Sequence, residues 1–162
     1  MMVVSPAAVF VVMNSFPVCW QDRADERKPE QLHTVAAAIA AASPSPRRAA
    51  FLLAISWHES RWCIHVHSGA HTGPGRGLFQ MEGQERRYPG PFVGLTPEET
   101  GNAAWVASRI IGRSGQCGHS AAAVFTVFAG RACGTSWPTL DARVQTFRFV
   151  SARLARALKE PA

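Results

Sequence analysis

Apolar positions along this chain recur every three or four residues, the period of a helix with one buried stripe, far more than every two. The alanine-rich residues 31–42 predict a short helix that stops at Ser43-Pro44-Ser45-Pro46. A second helix starts near Pro46 or Arg47 and runs to about Trp62, with Leu52, Ile55, Ser56, Glu59, Trp62 and Cys63 on its stripe. Thr96-Pro97-Glu98-Glu99 marks a further start: threonine caps, proline takes the first position and Glu99 completes a capping box. That helix turns Ala103, Val106, Ala107, Ile110 and Ile111 inward and ends near Gly112. Residues 119–129 form another, with Val124, Phe125 and Phe128, stopped at Gly130. The last runs from about Pro138 to Leu158 on a stripe of Val144, Phe147, Ser151, Leu154 and Leu158, while Arg143, Arg148, Arg153 and Arg156 decorate the remainder. Residues 64–97 are loop-rich and contain Tyr88-Pro89-Gly90-Pro91. A loop that long inside a compact domain is more often a functional wall than filler. A small β-hairpin fits around residues 66–80, so the class is mainly α, or α+β if the hairpin forms.

The chain divides into residues 1–30 and a single domain over residues 31–160. Residues 1–20 are apolar, densest at Val9–Met13, but Pro6 interrupts them, no Lys or Arg precedes Arg23 and no A-x-A site follows. They read either as an export signal or as a piece that packs on the domain, and they are too short and broken for a stable membrane span. Residues 21–30 read as a solvated linker or a first helical turn.

Composition narrows the classes. The 162 residues are 47% hydrophobic and 17% charged, enough for a real core. The net charge of +6, mostly from arginine, suits an anionic partner. The arginines are spread over the chain without a basic run interleaved with aromatics, so nucleic acid is not the expected partner. Four cysteines permit disulfides in an oxidising compartment, and Cys117 and Cys133, flanking a short apolar segment, are the candidate pair. No CxxC pair exists, which argues against a cysteine zinc site.

The candidate chemistry centres on Glu59. A carboxylate on an apolar stripe among Ile55, Trp57 and Trp62 would be desolvated and hold its proton more tightly, as a general acid near neutral pH must. A structural carboxylate paired with Arg61 or a helix end is the competing reading. His58, His65, His67 and His71 raise a rival metal site with Glu59 as base, but Trp62 stands where H-E-x-x-H needs its second histidine, so no metal is expected. Trp57, Trp62, Trp105 and Trp137 suit a core, with Trp62, Tyr88 and Phe92 the better candidates for stacking on a sugar ring.

Glu59-Ser60, Ser68 nine residues on, and Gly77-Leu78-Phe79-Gln80 together resemble the catalytic stretch of soluble lytic transglycosylases, in the goose-type branch of the lysozyme-like superfamily. Val127-Phe128-Ala129-Gly130-Arg131 falls where that family has its Tyr-Asn-x-Gly helix end, and the resemblance spans roughly residues 31–158. It implies a lysozyme-like fold with a glycan cleft that cleaves peptidoglycan. Glu59 would protonate the bond between N-acetylmuramic acid and N-acetylglucosamine, then take the proton of the muramic C6 hydroxyl as a 1,6-anhydro ring closes. Ser68 would orient Glu59 or the acetamido group; Gly77, Leu78, Phe79 and Gln80 would line the cleft, with Phe128 nearby. The chain departs from the pattern in three places. Val127 or Phe128 replaces the family tyrosine, whose role would be vacant or pass to Tyr88. The loop from Ser68 to Gly77 is long. Gln80 is followed by Met81-Glu82-Gly83.

An ordinary glycosidase uses two carboxylates. Between Glu59 and the last helix the acids are Glu82, Glu85, Glu98 and Glu99, and the last two belong to a helix start. One carboxylate with substrate assistance is thus favoured, and hydrolysis with Glu82 or Glu85 positioning water is the alternative. A cell-wall-binding or phage structural protein without turnover is a second alternative. The resemblance implies no cofactor, peptidoglycan glycan strands as partner, a monomer, and an extracytoplasmic (secreted or periplasmic) or phage-associated location.

Overall fold

The structure, a computed structural model, describes residues 3–71, 73–84, 86–88 and 90–159. Glu85 and Pro89, named above, lie outside them. The helices are α1 (Pro6–Met13), α2 (Lys28–Ala41), α3 (Pro46–Ser60), the single turn α4 (Ile64–His67), α5 (Pro97–Gly112), α6 (Ala121–Phe128) and α7 (Leu140–Ala157). Short 3-10 turns occupy Trp20–Asp22 and Arg113–Cys117. The fold is mainly α. Among the described residues the expected hairpin contracts to one antiparallel bridge, Arg76 to Met81, and residues 64–67 are helical.

Side chains set the helix starts. Ser5, Ser45, Thr96 and Ser120 each accept a hydrogen bond from the backbone N–H three residues on, and proline follows immediately in the first three cases. At α5 the Thr96 hydroxyl also donates to Glu99 Oε2 at 2.9 Å, so the glutamate returns to the threonine side chain instead of its backbone N–H.

α3 is the central rod. Every residue from Ala49 to Trp57 is buried, and the helix packs chiefly on α7, with α5 and α2 on other sides. Phe51 stacks on Phe147 at 4.1 Å between centroids, with Phe125 meeting both rings edge-on. On α7 the buried stripe is Phe147, Val150 and Leu154; Ser151 is only half-buried. α1 lies on α2 and α7, and Val9, Val12 and Met13 belong to the main core. Residues 3–30 are therefore folded onto the rest of the protein.

The stretch read as a solvated linker holds a buried ion pair. Lys28 Nζ donates to Asp22 Oδ2 at 2.8 Å, with the side chains 9% and 4% exposed. Lys28 Nζ also donates to the Trp62 carbonyl, and Asp22 Oδ2 accepts from the Ile64 N–H at 2.9 Å. Gln31 Nε2 donates to the same Trp62 carbonyl at 3.0 Å and meets His67 Nδ1 at 3.2 Å, while His67 Nε2 meets Thr100 Oγ1 at 3.3 Å. With Gln31 donating, Nδ1 accepts and Nε2 carries the imidazole proton. Charge–polar alternation in the sequence concealed this network, because each partner lies on a different element.

Two disulfides close loops. Cys117 pairs with Cys133, as expected, and Cys19 pairs with Cys63, joining the N-terminal segment to the start of α4. The bridges span 44 and 16 residues respectively. Chain entropy assigns them roughly 4 and roughly 3 kcal/mol. Replacing Cys19 and Cys63 together by serine should therefore lower denaturant stability more than the same change at Cys117 and Cys133; the reverse order in urea melts would contradict this account.

His67 links fold to pH. Burial first, and then the Lys28 charge, pushes its imidazole down from 6.5 to about 4. The unfolded chain takes up a proton near pH 6.5 that the folded chain refuses until about pH 4. The contribution is full above pH 6.5, is lost as pH falls towards 4, and amounts to roughly 3 kcal/mol. Thermal unfolding of His67→Gln should show a shallower loss of Tm between those pH values than the unmutated chain; parallel curves would refute the assignment.

Candidate functional site

α3 ends abruptly at Ser60, one residue after Glu59. Arg61 and Trp62 both adopt the left-handed conformation, with φ of 51° and 52°. This is costly for non-glycine residues and needs local support. Ser60 Oγ donates to the Ser56 carbonyl at 2.9 Å and accepts from the Trp62 N–H at 3.2 Å. The Trp62 indole donates to Ser56 Oγ at 2.9 Å, and Arg61 lies 4.7 Å over the Trp57 ring. Ser60 thus builds the helix exit, and Glu59 sits on the last turn before it.

The surroundings of Glu59 differ from the expected apolar wall. Trp57 and Trp62 pack on one another and on Phe16, at centroid distances of 4.6 to 5.2 Å. The Glu59 side chain keeps 22% of its exposure and opens on a cleft of about 740 Å³, within the size range of small-ligand sites. Its Oε1 accepts from Arg143 Nη1 of α7 at 2.5 Å. Oε2 has no hydrogen-bond partner among the described residues. One residue earlier, His58 Nε2 meets Thr146 Oγ1 at 2.9 Å. That hydroxyl spends its proton on the Ala142 carbonyl, so His58 donates. Burial first, then the charges of Arg143 and Arg61, lowers the His58 imidazole to about 4. Two consecutive residues of α3 are in this way tied to positions 143 and 146, one face of α7.

Three further segments wall the cleft. Phe79, Gln80, Met81, Glu82 and Gln84 come from the long loop, Phe128 to Arg131 from the end of α6, and Trp137, Pro138 and Thr139 from the approach to α7; Ile110 of α5 completes it. The loop wall is shaped by the Arg76–Met81 bridge and by Gly77, whose φ is 68° and where a Cβ would overlap the Phe92 carbonyl. Gln80 is also left-handed, at φ 48°, and its Nε2 donates to the Gly77 carbonyl at 2.7 Å. The amide expected to bond a sugar thus first braces its own turn, and Oε1 makes no hydrogen bond among the described residues.

Of the residues singled out from sequence, Glu59, Phe79, Gln80 and Phe128 meet in this cleft. Glu82, the alternative second carboxylate, lines it too, whereas Ser68, Gly77, Leu78 and Tyr88 do not. Ser68 caps α4 and its Oγ donates to the His65 carbonyl at 3.3 Å, with no bond to Glu59. Gly77 and Leu78 are buried beneath the turn. Tyr88 is 6% exposed and meets Trp105 edge-on, with Arg113 over its ring, so it does not fill the place of the missing tyrosine. Trp62 and Phe92, expected as stacking platforms, are 2% and 4% exposed; Trp137 is the indole on the cleft.

Arg143, Arg131 and Trp137 went unread as site residues. Arg143 lies 84 residues from Glu59, and nothing in its helical surroundings distinguishes it from the other arginines of α7. Arg131 does carry a signal, since it directly follows the helix-stopping Gly130. The sulfurs of Cys19 and Cys63 come near His65 but are joined to each other, and both nitrogens of His67 are engaged. Among the described residues His65 Nδ1 and His71 Nε2 are buried without a partner. No helix among the described residues is long and apolar enough to cross a membrane.

The chain matches no family model, no curated protein and no solved structure.

Tyr88 provides a check on these placements. Its hydroxyl is buried without a partner among the described residues. Removing an unsatisfied hydroxyl removes its desolvation cost. Tyr88→Phe should leave thermal stability unchanged or raise it by up to about 1 kcal/mol and leave ligand binding in the cleft untouched. A variant that unfolds earlier or loses binding would show that the hydroxyl is used.

Proposed function

We propose that this chain is a peptidoglycan-cleaving glycosidase of lysozyme-like fold, acting as a lytic transglycosylase with Glu59 as its single acid/base. The observation that carries the reading is the convergence of Glu59, Phe79, Gln80 and Phe128, up to 69 positions apart in sequence, on one cleft. The same four belong to the motifs that resemble the lytic transglycosylase catalytic stretch. In this scheme Glu59 Oε2 protonates the glycosidic oxygen while Oε1 stays on Arg143. As a carboxylate, Oε2 then accepts the proton of the muramic C6 hydroxyl, whose oxygen closes the 1,6-anhydro ring on C1. No water enters the step. The two disulfides suit an oxidising, extracytoplasmic setting, where the cell wall lies.

One observation favours a second reading. Glu82 lines the same cleft as Glu59, so the two carboxylates of a hydrolytic muramidase are both available. Glu82 is exposed on the loop wall, whereas Glu59 is fixed on a packed helix, and the single-acid scheme is preferred for that reason.

Purified glycan strands, digested and weighed by mass spectrometry, decide the matter. The expected product ends are one water lighter than reducing ends. Glu59→Gln should lower the rate by roughly 10²- to 10⁴-fold, and Glu82→Gln by no more than a few-fold. Reducing ends, with both variants crippled, would make the chain a muramidase. Lysis that persists in Glu59→Gln would sink the whole assignment, and strands that bind but are never cleaved would leave a binding protein.

A further inference from the structure

The cleft contains more positive charge than Glu59 uses. Arg131 and Arg143 both stack on Trp137, with guanidinium carbons 5.1 and 5.2 Å from the indole. Arg131 is exposed and its guanidinium makes no hydrogen bond or ion pair among the described residues. Arg143 gives Nη1 to Glu59, while its Nε is buried and has no partner among those residues, and Nη2 makes no bond either. The Trp137 indole nitrogen is likewise buried and without a partner among the described residues. Nη2 is therefore the donor of Arg143 left open, a charge-assisted partner for a carboxylate.

We infer that Arg131 and Arg143, clamped on Trp137, form a carboxylate subsite beside Glu59 that selects an acid-bearing sugar. This rests on the glycan reading above and adds the specificity element to it. The carboxylate engages the open Nη2 of Arg143 and the charge of Arg131. Nη1 stays on Glu59, so one guanidinium fixes the distance between the substrate's acid group and Glu59 Oε2. A muramyl residue offers such a carboxylate from either of two sources: its own lactyl group, where the stem peptide has been stripped, or the stem peptide itself. An unsubstituted N-acetylglucosamine chain offers none.

The test compares four tetrasaccharides by calorimetry with the full chain: stripped muramyl strands, the same strands with the lactyl carboxyl converted to an amide, strands carrying stem peptides, and chitotetraose. At least one acid-bearing ligand should bind roughly 10- to 100-fold tighter than chitotetraose, the scale of a charge-assisted pair. Tight binding of stripped strands that is lost on amidation assigns the lactyl source. Tight binding of the peptide-bearing strands alone assigns the stem. Arg131→Gln and Arg143→Gln should each weaken the acid-bearing ligands more than chitotetraose and so erase the preference, and Arg131→Lys should keep part of it. Equal affinity for all four ligands overturns the inference. So does a loss in both variants that is the same for acid-bearing and acid-free ligands, or no binding at all. Cleavage measured on the same samples separates the two proposals. Cleavage without carboxylate preference defeats the subsite alone, and carboxylate preference without cleavage defeats the enzymatic reading alone.

Discussion

The Trp62 carbonyl is the group on which this architecture turns. α3 stops within two residues by putting Arg61 and Trp62 in the left-handed region, which aims a backbone acceptor into the interior. An unpaired buried carbonyl is expensive, and here two side chains of α2, Lys28 and Gln31, reach it. Lys28 brings a charge, which itself requires a buried counterion. Asp22 supplies it and at the same time accepts the N–H that begins α4. Removing one member of such a pair leaves the other buried and uncompensated, a loss on the order of 3–5 kcal/mol. The requirement therefore propagates: a sharp helix exit demands a lysine, the lysine an aspartate, and the aspartate an N-terminal segment held in place by Cys19–Cys63 and by α1.

That chain of obligations explains how a flexible acidic side chain acquires a fixed position. Glu59 lies one turn of backbone from the Trp62 anchor, on a helix buried along nearly its whole length. On the opposite bank, α7 is held by Phe147 against Phe51 and by Thr146 against His58. Arg143 is one turn from Thr146, so its reach to Glu59 follows from packing already secured elsewhere. Groups presented by packed helices hold geometry better than groups on loops. In this cleft the helices supply the acid and its cation, and the loops supply the walls.

Local chemistry was legible from the sequence and assembly was not. Ser45-Pro46 and Thr96-Pro97 marked helix starts to within a residue or two, because a cap acts over three residues and needs no tertiary partner, while Ser5-Pro6, read as an interruption, starts α1 in the same way. The stripe on α3 was read correctly as far as Ile55 and Ser56. It failed at its end, since Trp62 leaves the helical path and Glu59 emerges at the cleft. The N-terminal thirty residues could not be placed by pattern. Asp22 and Lys28 look like linker charges until Trp62, far away in sequence, explains them. Glu59, Phe79, Gln80 and Phe128, which meet on the cleft, each stand in or beside a recognisable motif. Arg143 and Trp137 had unremarkable local explanations, a surface arginine and a core indole, and only the contact between segments removes them. Ser68 and Tyr88 lie off the cleft for the opposite reason: motif spacing suggested a role, and α4 and the packing around Trp105 engage them.

The balance of charges in the cleft follows from this construction. Glu59 and Glu82 supply two negative charges, and Arg131 and Arg143 supply two positive ones. Formal neutrality conceals an asymmetry, because only Glu59 and Arg143 are joined. Glu82 and Arg131 are both exposed to water, which screens their charges; Arg131 is in addition held on an indole face beside the Arg143 guanidinium. Two guanidinium groups against one indole make the region around Trp137 the positive side of the cleft. A neutral glycan would leave that side unanswered. An acidic one would complete it, which is why the proposed reading favours a muramyl sugar next to Glu59 over a plain polymer of N-acetylglucosamine.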